Sequence, residues 1–316
     1  MRLLLLVLLL SVCVNAGIFD TKLGQKIKGV VDKIKTKLNT TALLAIREKI
    51  HGLKEKVKAK LTLSPERKAI LSELLKQISS IKRDHISSKG DSIDEINANN
   101  KIGELLYQGD IVLTNEQADE IVQDAEDEGG NRTKRQAFRD QNYPRTLWSN
   151  GVNYFFDASA CWYNTCCSFD GKPTHKYYNR SAPVVRSVFT KGARLWMKDT
   201  CIDFRENREA PDRIRVFKED GCWSFVGRLG KQQDLSLGDG CESVGTAAHE
   251  IGHAIGFFHT QSRHDRDNFI TFNVQNVKPD WVDQFTKQTT ATNENYGIPY
   301  DYGNIMHYGA NRFILS

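Results

Sequence analysis

Apolar residues recur at three- and four-residue intervals through much of the first half of this chain, a spacing that lays a stripe along one face of a helix. Leu23, Ile27, Val30, Val31, Ile34 and Leu38 form one such series; Ile70, Leu71, Leu74, Leu75, Ile78 and Ile81 form another. The first falls in the Lys-rich stretch from Lys22 to Lys60, so its other face is cationic and solvated. Beyond residue 135 the pattern changes. Gly151–Phe156, Ile214–Phe217 and Leu235–Leu237 read as strands, while Pro183–Met197 returns to helical spacing through Val184, Val188, Ala193, Leu195 and Trp196. Strands and long helices in this order predict an α+β domain behind a mainly helical front half.

The N-terminus adds a destination. Arg2, the apolar run Leu3–Val14, interrupted only by Ser11, and the exit Asn15-Ala16-Gly17 have the form of a cleavable secretory signal over residues 1–16. The run is too short to span a bilayer, and no later stretch is apolar enough to do so. The expectation is a secreted, extracellular protein without a membrane anchor. The net charge of +5 sits mostly in residues 1–135, which hold 23 basic and 19 acidic residues against 21 and 20 in residues 136–316. A solvated helical face accounts for that excess, and a secreted chain meets little nucleic acid, so no nucleic-acid partner is expected. Cys13 belongs to the signal; Cys161, Cys166, Cys167, Cys201, Cys222 and Cys241 follow residue 160. In a secreted chain these are expected mostly as disulfides, and none has zinc-ribbon spacing. Cys166 and Cys167 are adjacent and pair poorly with one another.

Glu126–Asn131 is charged and glycine-containing, a linker composition. It leads into Arg132-Thr133-Lys134-Arg135, where Arg132, Lys134 and Arg135 offer an extended basic strand to a subtilisin-like proprotein convertase. Cleavage there divides the chain into residues 17–135, a helical propeptide, and residues 136–316, the domain that carries the chemistry. Asn39, Asn131 and Asn179 stand in sequons and are candidate glycosylation sites.

That chemistry is written in His249-Glu250-Ile251-Gly252-His253-Ala254-Ile255-Gly256-Phe257-Phe258-His259. Histidines four apart on a helix share a face, so His249 and His253 can reach one metal ion. Gly256 is placed where a helix ends with positive φ, after which the chain can return His259 as a third ligand. Three protein ligands and an open position describe a catalytic Zn2+ site, and Glu250 stands beside it to take a proton from water. A bare His-Glu-x-x-His occurs on ordinary amphipathic helices; the added Gly and His at this spacing are far more specific.

This stretch, with Arg263-His264-Asp265-Arg266-Asp267, Tyr302-Gly303-Asn304-Ile305-Met306-His307-Tyr308, Gly221–Arg228 and Leu235–Cys241, resembles the astacin family of metzincins over most of residues 145–311. The variant Gly256–Arg263 is similar to nematode members. The resemblance implies a metzincin-type catalytic domain, with a twisted sheet over the active-site helix, that hydrolyses peptide bonds of extracellular proteins. Cuticle or matrix collagen precursors are the family-level substrate expectation. It implies one zinc ion on His249, His253 and His259, Glu250 as general base, and Met306 in the turn beneath the metal. It implies that Tyr308 stabilises the oxyanion and that Cys222 pairs with Cys241. Tyr107-Gln108-Gly109-Asp110-Ile111 resembles the family's propeptide motif, which implies that Asp110 occupies the open zinc position until cleavage after Arg135. Thr260 stands where many members have Glu, and residues 158–180 form an insert that does not align. The family partner of Cys201 would lie beyond Ser316, so the resemblance implies that the C-terminal part of the catalytic domain is missing. A second reading therefore stands beside the enzyme: an inactive, truncated secreted protein that binds zinc or matrix without turnover.

Overall fold

The computed structural model describes residues 40–77, 87–126, 143–160, 182–290, 292–293 and 295–309. The signal-like run, the first amphipathic series, Asn39, Asn131, Asn179, the basic stretch Arg132–Arg135, and Cys161, Cys166 and Cys167 lie outside the described residues.

The front half is helical. α1 (Thr40–His51) buries Leu43, Leu44, Ile46 and Ile50, and α2 (Lys54–Leu61) buries Val57 and Leu61. The start of the second apolar series lies in α3 (Pro65–Gln77), which opens on a proline whose missing N–H costs nothing at a first turn. Within it Ile70 is 61 % exposed and Leu71 half-buried, while Ile78 and Ile81 lie outside the described residues. α4 (Ile93–Asn99), β1 (Ile111–Val112) and α5 (Asn115–Glu126) complete this half. The described helices share their core with the second half: Ile46, Ile50, Ala118 and Ile121 cluster with Val226 and Phe258. Leu53, Val57 and Leu61 pack with Val277, Trp281, Val282 and Phe285, while Leu43 and Leu44 join Phe217 and Trp223.

The second half supplies β2 (Val152–Phe156), α6 (Ala182–Asp199), β3 (Phe204–Glu206), β4 (Arg213–Phe217), β5 (Cys222–Phe225), β6 (Gln232–Leu237) and α7 (Val244–Ala254). The sheet runs β1-β5-β6-β4-β2-β3, parallel throughout except for β5 against β6. β1 from the front half pairs with β5, Ile111 opposite Ser224 and Val112 opposite Phe225, so the two halves share one sheet.

Helical spacing located α6 and part of its buried face: Val188 and Ala193 are buried and Trp196 packs against the same core. Val184 and Leu195 are 41 % and 50 % exposed, and Val185 and Phe189 are buried in addition. The buried stripe follows from Gly192: a Cβ there would stand 3.0 Å from Ala248 N, so the absent side chain lets α6 lie against α7. β1, β3 and β5 are too short for alternation to announce them. Among the described residues, no helix is long and apolar enough to cross a membrane.

Candidate metal centre

α7 is positioned at both ends. Ser243 caps it, its Oγ accepting from Thr246 N at 2.9 Å. At the other end Gly256 takes φ 113°, and its N–H reaches His253 O while Phe257 N reaches Gly252 O. The chain then turns back and brings His259 beneath the helix. Met306 seats below, buried, with its sulfur against Gly252; a Cβ on that glycine would clash with Sδ.

His249, His253 and His259 are all buried and converge. Nε2 of His249 lies 3.1 Å from Nε2 of His253 and 3.2 Å from Nε2 of His259. Each Nδ1 faces an oxygen that can only accept: Ile305 O and Phe257 O, both at 2.7 Å, and Gln108 Oε1 at 2.8 Å. Each Nδ1 must therefore carry the proton. Burial pushes the pKa of His253 down, and that of His259 down to about 3, so these two rings are neutral.

Asp110 completes the set. It is fully buried, with Oδ2 3.1 Å from Nε2 of His249 and 3.2 Å from Nε2 of His259, and Oδ1 3.5 Å from Nε2 of His253. Burial would raise its pKa, but its interactions with the surrounding histidines, His259 foremost, outweigh that and hold it well below the usual range. Neutral imidazole lone pairs facing a carboxylate have no proton to share. What reconciles them is a cation at their centre. Four donors at about 2.0–2.1 Å from one ion would stand roughly 3.3–3.4 Å apart in a tetrahedron, close to the separations seen. Nitrogen and carboxylate donors with imidazoles oriented through Nδ1 fit Zn2+.

Tyr308 and Glu250 flank the cluster. Tyr308 Oη lies 2.7 Å from Asp110 Oδ2 and 2.6 Å from Gln108 O, two acceptors for one proton, and its ring centroid is 4.1 Å from that of His259. Burial first, then the Asp110 charge, pushes its pKa well up, so it stays a donor. Glu250 is wholly buried, and among the described residues neither carboxylate oxygen has a hydrogen-bond partner. Burial, reinforced by the charge of Asp110, raises its pKa well above the usual value. An unpaired buried carboxyl costs stability unless its environment is arranged for chemistry. Cys222 and Cys241 form a disulfide with Cα atoms 5.7 Å apart, whereas Cys201 is an exposed free thiol.

Several residues at the site lie outside the sequence expectations. Tyr107 and Ile111 exchange both backbone hydrogen bonds across a three-residue loop, with Gln108 at φ 50° and Gly109 at φ 90°. That loop thrusts Asp110 into the cluster. Gln108 does a second job through its contact with His259. Asn97, fully buried, donates to Gly109 O (2.8 Å) and Cys222 O (2.6 Å) and accepts from Cys222 N (2.7 Å), tying the loop to β5. The sequence carried one signal for these, the motif around Asp110, from which only the aspartate drew a role.

An α+β sheet, one helix bearing two histidines, a returning third histidine and a methionine beneath define a mononuclear metal centre of the metzincin kind. Residues 162–315 match the family model described as Astacin, a peptidase family. Zinc metalloproteinase nas-31 of Caenorhabditis elegans is 41 % identical over 283 residues, 85 % of this chain and 43 % of its own length. Zinc metalloproteinase nas-36 of Brugia malayi is 31 % identical, over 68 % of this chain and 37 % of its own. High choriolytic enzyme 1, a hatching enzyme zinc-protease from the medaka fish Oryzias latipes, is 30 % identical over 57 % of this chain and 81 % of its own, with a TM-score of 0.46. The chain belongs to the astacin family. It spans less than half the length of these nematode relatives.

Proposed function

We propose that this chain is the latent precursor of a secreted zinc endopeptidase. Residues 1–16 are its signal, residues 17–135 its propeptide and residues 136–316 its catalytic domain. The observation that carries the reading is the convergence of three oriented imidazoles beside a buried, unpartnered glutamate. His249, His253 and His259 would hold Zn2+, which when bound supplies Lewis-acid polarisation and brings the pKa of water to about 7. Glu250 accepts the proton of the attacking water and delivers it to the leaving amine, a role its raised pKa suits. Tyr308 donates to the oxyanion that forms on the scissile carbonyl. In the precursor Asp110 holds that Tyr308 proton and lies against the histidines, which supports latency. Cleavage by a convertase after Arg135 would free the propeptide and uncover the edge of β5 for an extended substrate. The Cys222–Cys241 disulfide accords with an oxidising, extracellular setting, and Asn39, Asn131 and Asn179 are the proposed glycan acceptors. Extracellular proteins, cuticle or matrix collagen precursors among them, are the proposed substrates.

The test is to express the chain, cut it after Arg135, and measure zinc content and peptide hydrolysis beside Glu250→Ala. One zinc per chain and hydrolysis that appears only after the cut are expected. Zinc-loaded cut protein that works no better than Glu250→Ala would reject the enzyme.

A further inference from the structure

Asp283 is a wholly buried carboxylate on the 3₁₀ segment Pro279–Phe285. Among the described residues, its cationic partner comes from the propeptide. Arg47 Nη1 pairs with Oδ2, and Arg47 Nη2 stands 3.3 Å from Oδ1 and donates to the Asp280 carbonyl at 2.6 Å. His51 Nδ1 lies 3.6 Å from Oδ1. Among the described residues on its own side of the cleavage point, the Asp283 side chain receives only the amide of its neighbour, Gln284 Nε2, at 3.3 Å. Two carboxylate oxygens and a backbone carbonyl thus meet one guanidinium, the planar fork that arginine presents and lysine does not. The place matters as much as the chemistry. Gln284 accepts a hydrogen bond from Gln108 N, two residues from Asp110, so this recess borders the cleft that holds the metal ligands. Val282 and Phe285 of the same segment provide an apolar wall, now packed with Leu53 and Val57.

We propose that Asp283 and the Asp280 carbonyl form a subsite of the mature domain for an arginine side chain of a protein substrate, a subsite that Arg47 fills in the precursor. The proposal rests on the reading of residues 17–135 as a removable propeptide. When that segment leaves, the carboxylate keeps its place on the 3₁₀ segment and loses its counter-charge. A substrate arginine flanked by apolar residues restores both contacts; a neutral side chain of the same length restores neither.

Two measurements test it. In the full-length precursor, Arg47→Met lowers the melting temperature, ethylguanidinium restores part of the loss, and ethylammonium at equal concentration restores less. The double variant Arg47→Met, Asp283→Asn responds to neither. An equal response to both cations, or one that survives Asp283→Asn, overturns the site. In the chain cut after Arg135, peptides differing only by arginine or norleucine at one position are compared by hydrolysis, and their non-cleavable versions by fluorescence anisotropy. The arginine peptide is favoured about tenfold or more, as charged hydrogen bonds warrant, and Asp283→Asn removes the preference without slowing the norleucine peptide. A preference unchanged by Asp283→Asn rejects the subsite and leaves the peptidase standing. Failure to hydrolyse any peptide rejects the peptidase, and anisotropy still decides the subsite.

Discussion

The three imidazoles are oriented by acceptors from three places: Ile305 ahead of Met306, Phe257 just past the helix, and Gln108 in the front half of the chain. On the proposed processing, two stay with the catalytic domain while the third leaves with residues 17–135. Replacing Gln108 by Leu should therefore weaken metal retention in the precursor alone, by about tenfold or more, read as the rate of zinc loss to a chelator. After the cut, parent and variant should lose zinc at the same rate. Tyr308→Phe removes a donor without disturbing the ring contact with His259. It should lower kcat by about a hundredfold or more if the hydroxyl serves the oxyanion, with zinc content unchanged. At this scale the sequence was generous. His249, Glu250, His253 and His259 are close in the chain and their spacing is set by one helix and its end. Gln108 and Asn97 were silent because their roles depend on atoms more than a hundred residues away.

At the scale of elements, α7 owes its position to glycines as much as to its cap. Gly252→Ala drives a methyl into Met306 Sδ and to 3.2 Å from the Trp196 ring. An overpacked core of this kind loses about 1–3 kcal/mol, and chemical denaturation should show it with reduced zinc affinity. The loop after α7 is pinned by charge. Burial would raise the pKa of Asp267, but its hydrogen bond from Lys287 and the Arg266 charge prevail and hold it below the usual value. A carboxylate whose folded pKa is depressed stabilises the fold above its unfolded pKa and loses that contribution as pH falls through the folded one. Melting temperature should thus fall more steeply below about pH 4, the ordinary carboxylate range, in the parent than in Asp267→Asn; equal slopes would show the pair to be inert. Helix spacing identified α6 as a helix and Val188 and Ala193 on its buried side, but not Val185 or Phe189. Which face is buried depends on the bare backbone at Gly192 and on what lies opposite, Ala248.

At the scale of the molecule, the described part of the proposed propeptide is part of the core. It contributes a strand to the sheet, a ligand-like carboxylate to the metal centre and an arginine to a buried ion pair. Arg47 and Asp283 are 3 % and 0 % exposed, so Arg47→Met strands a buried carboxylate. The precursor should lose about 3–5 kcal/mol, measured by urea unfolding. Replacing both partners by apolar residues should recover most of it, because no lone charge is then left in the core. The sequence by itself determined what is local: helices and strands set by periodicity, a helix that presents two histidines, a glycine that ends it, and a motif that singles out Asp110. Only the tertiary structure decided what is distant. It joined β1 to β5, brought Asp110 to the histidines of α7, and seated Arg47 on Asp283. Periodicity constrains which side of an element is apolar, but a partner across the chain is selected by shape and charge that exist only once the core has closed.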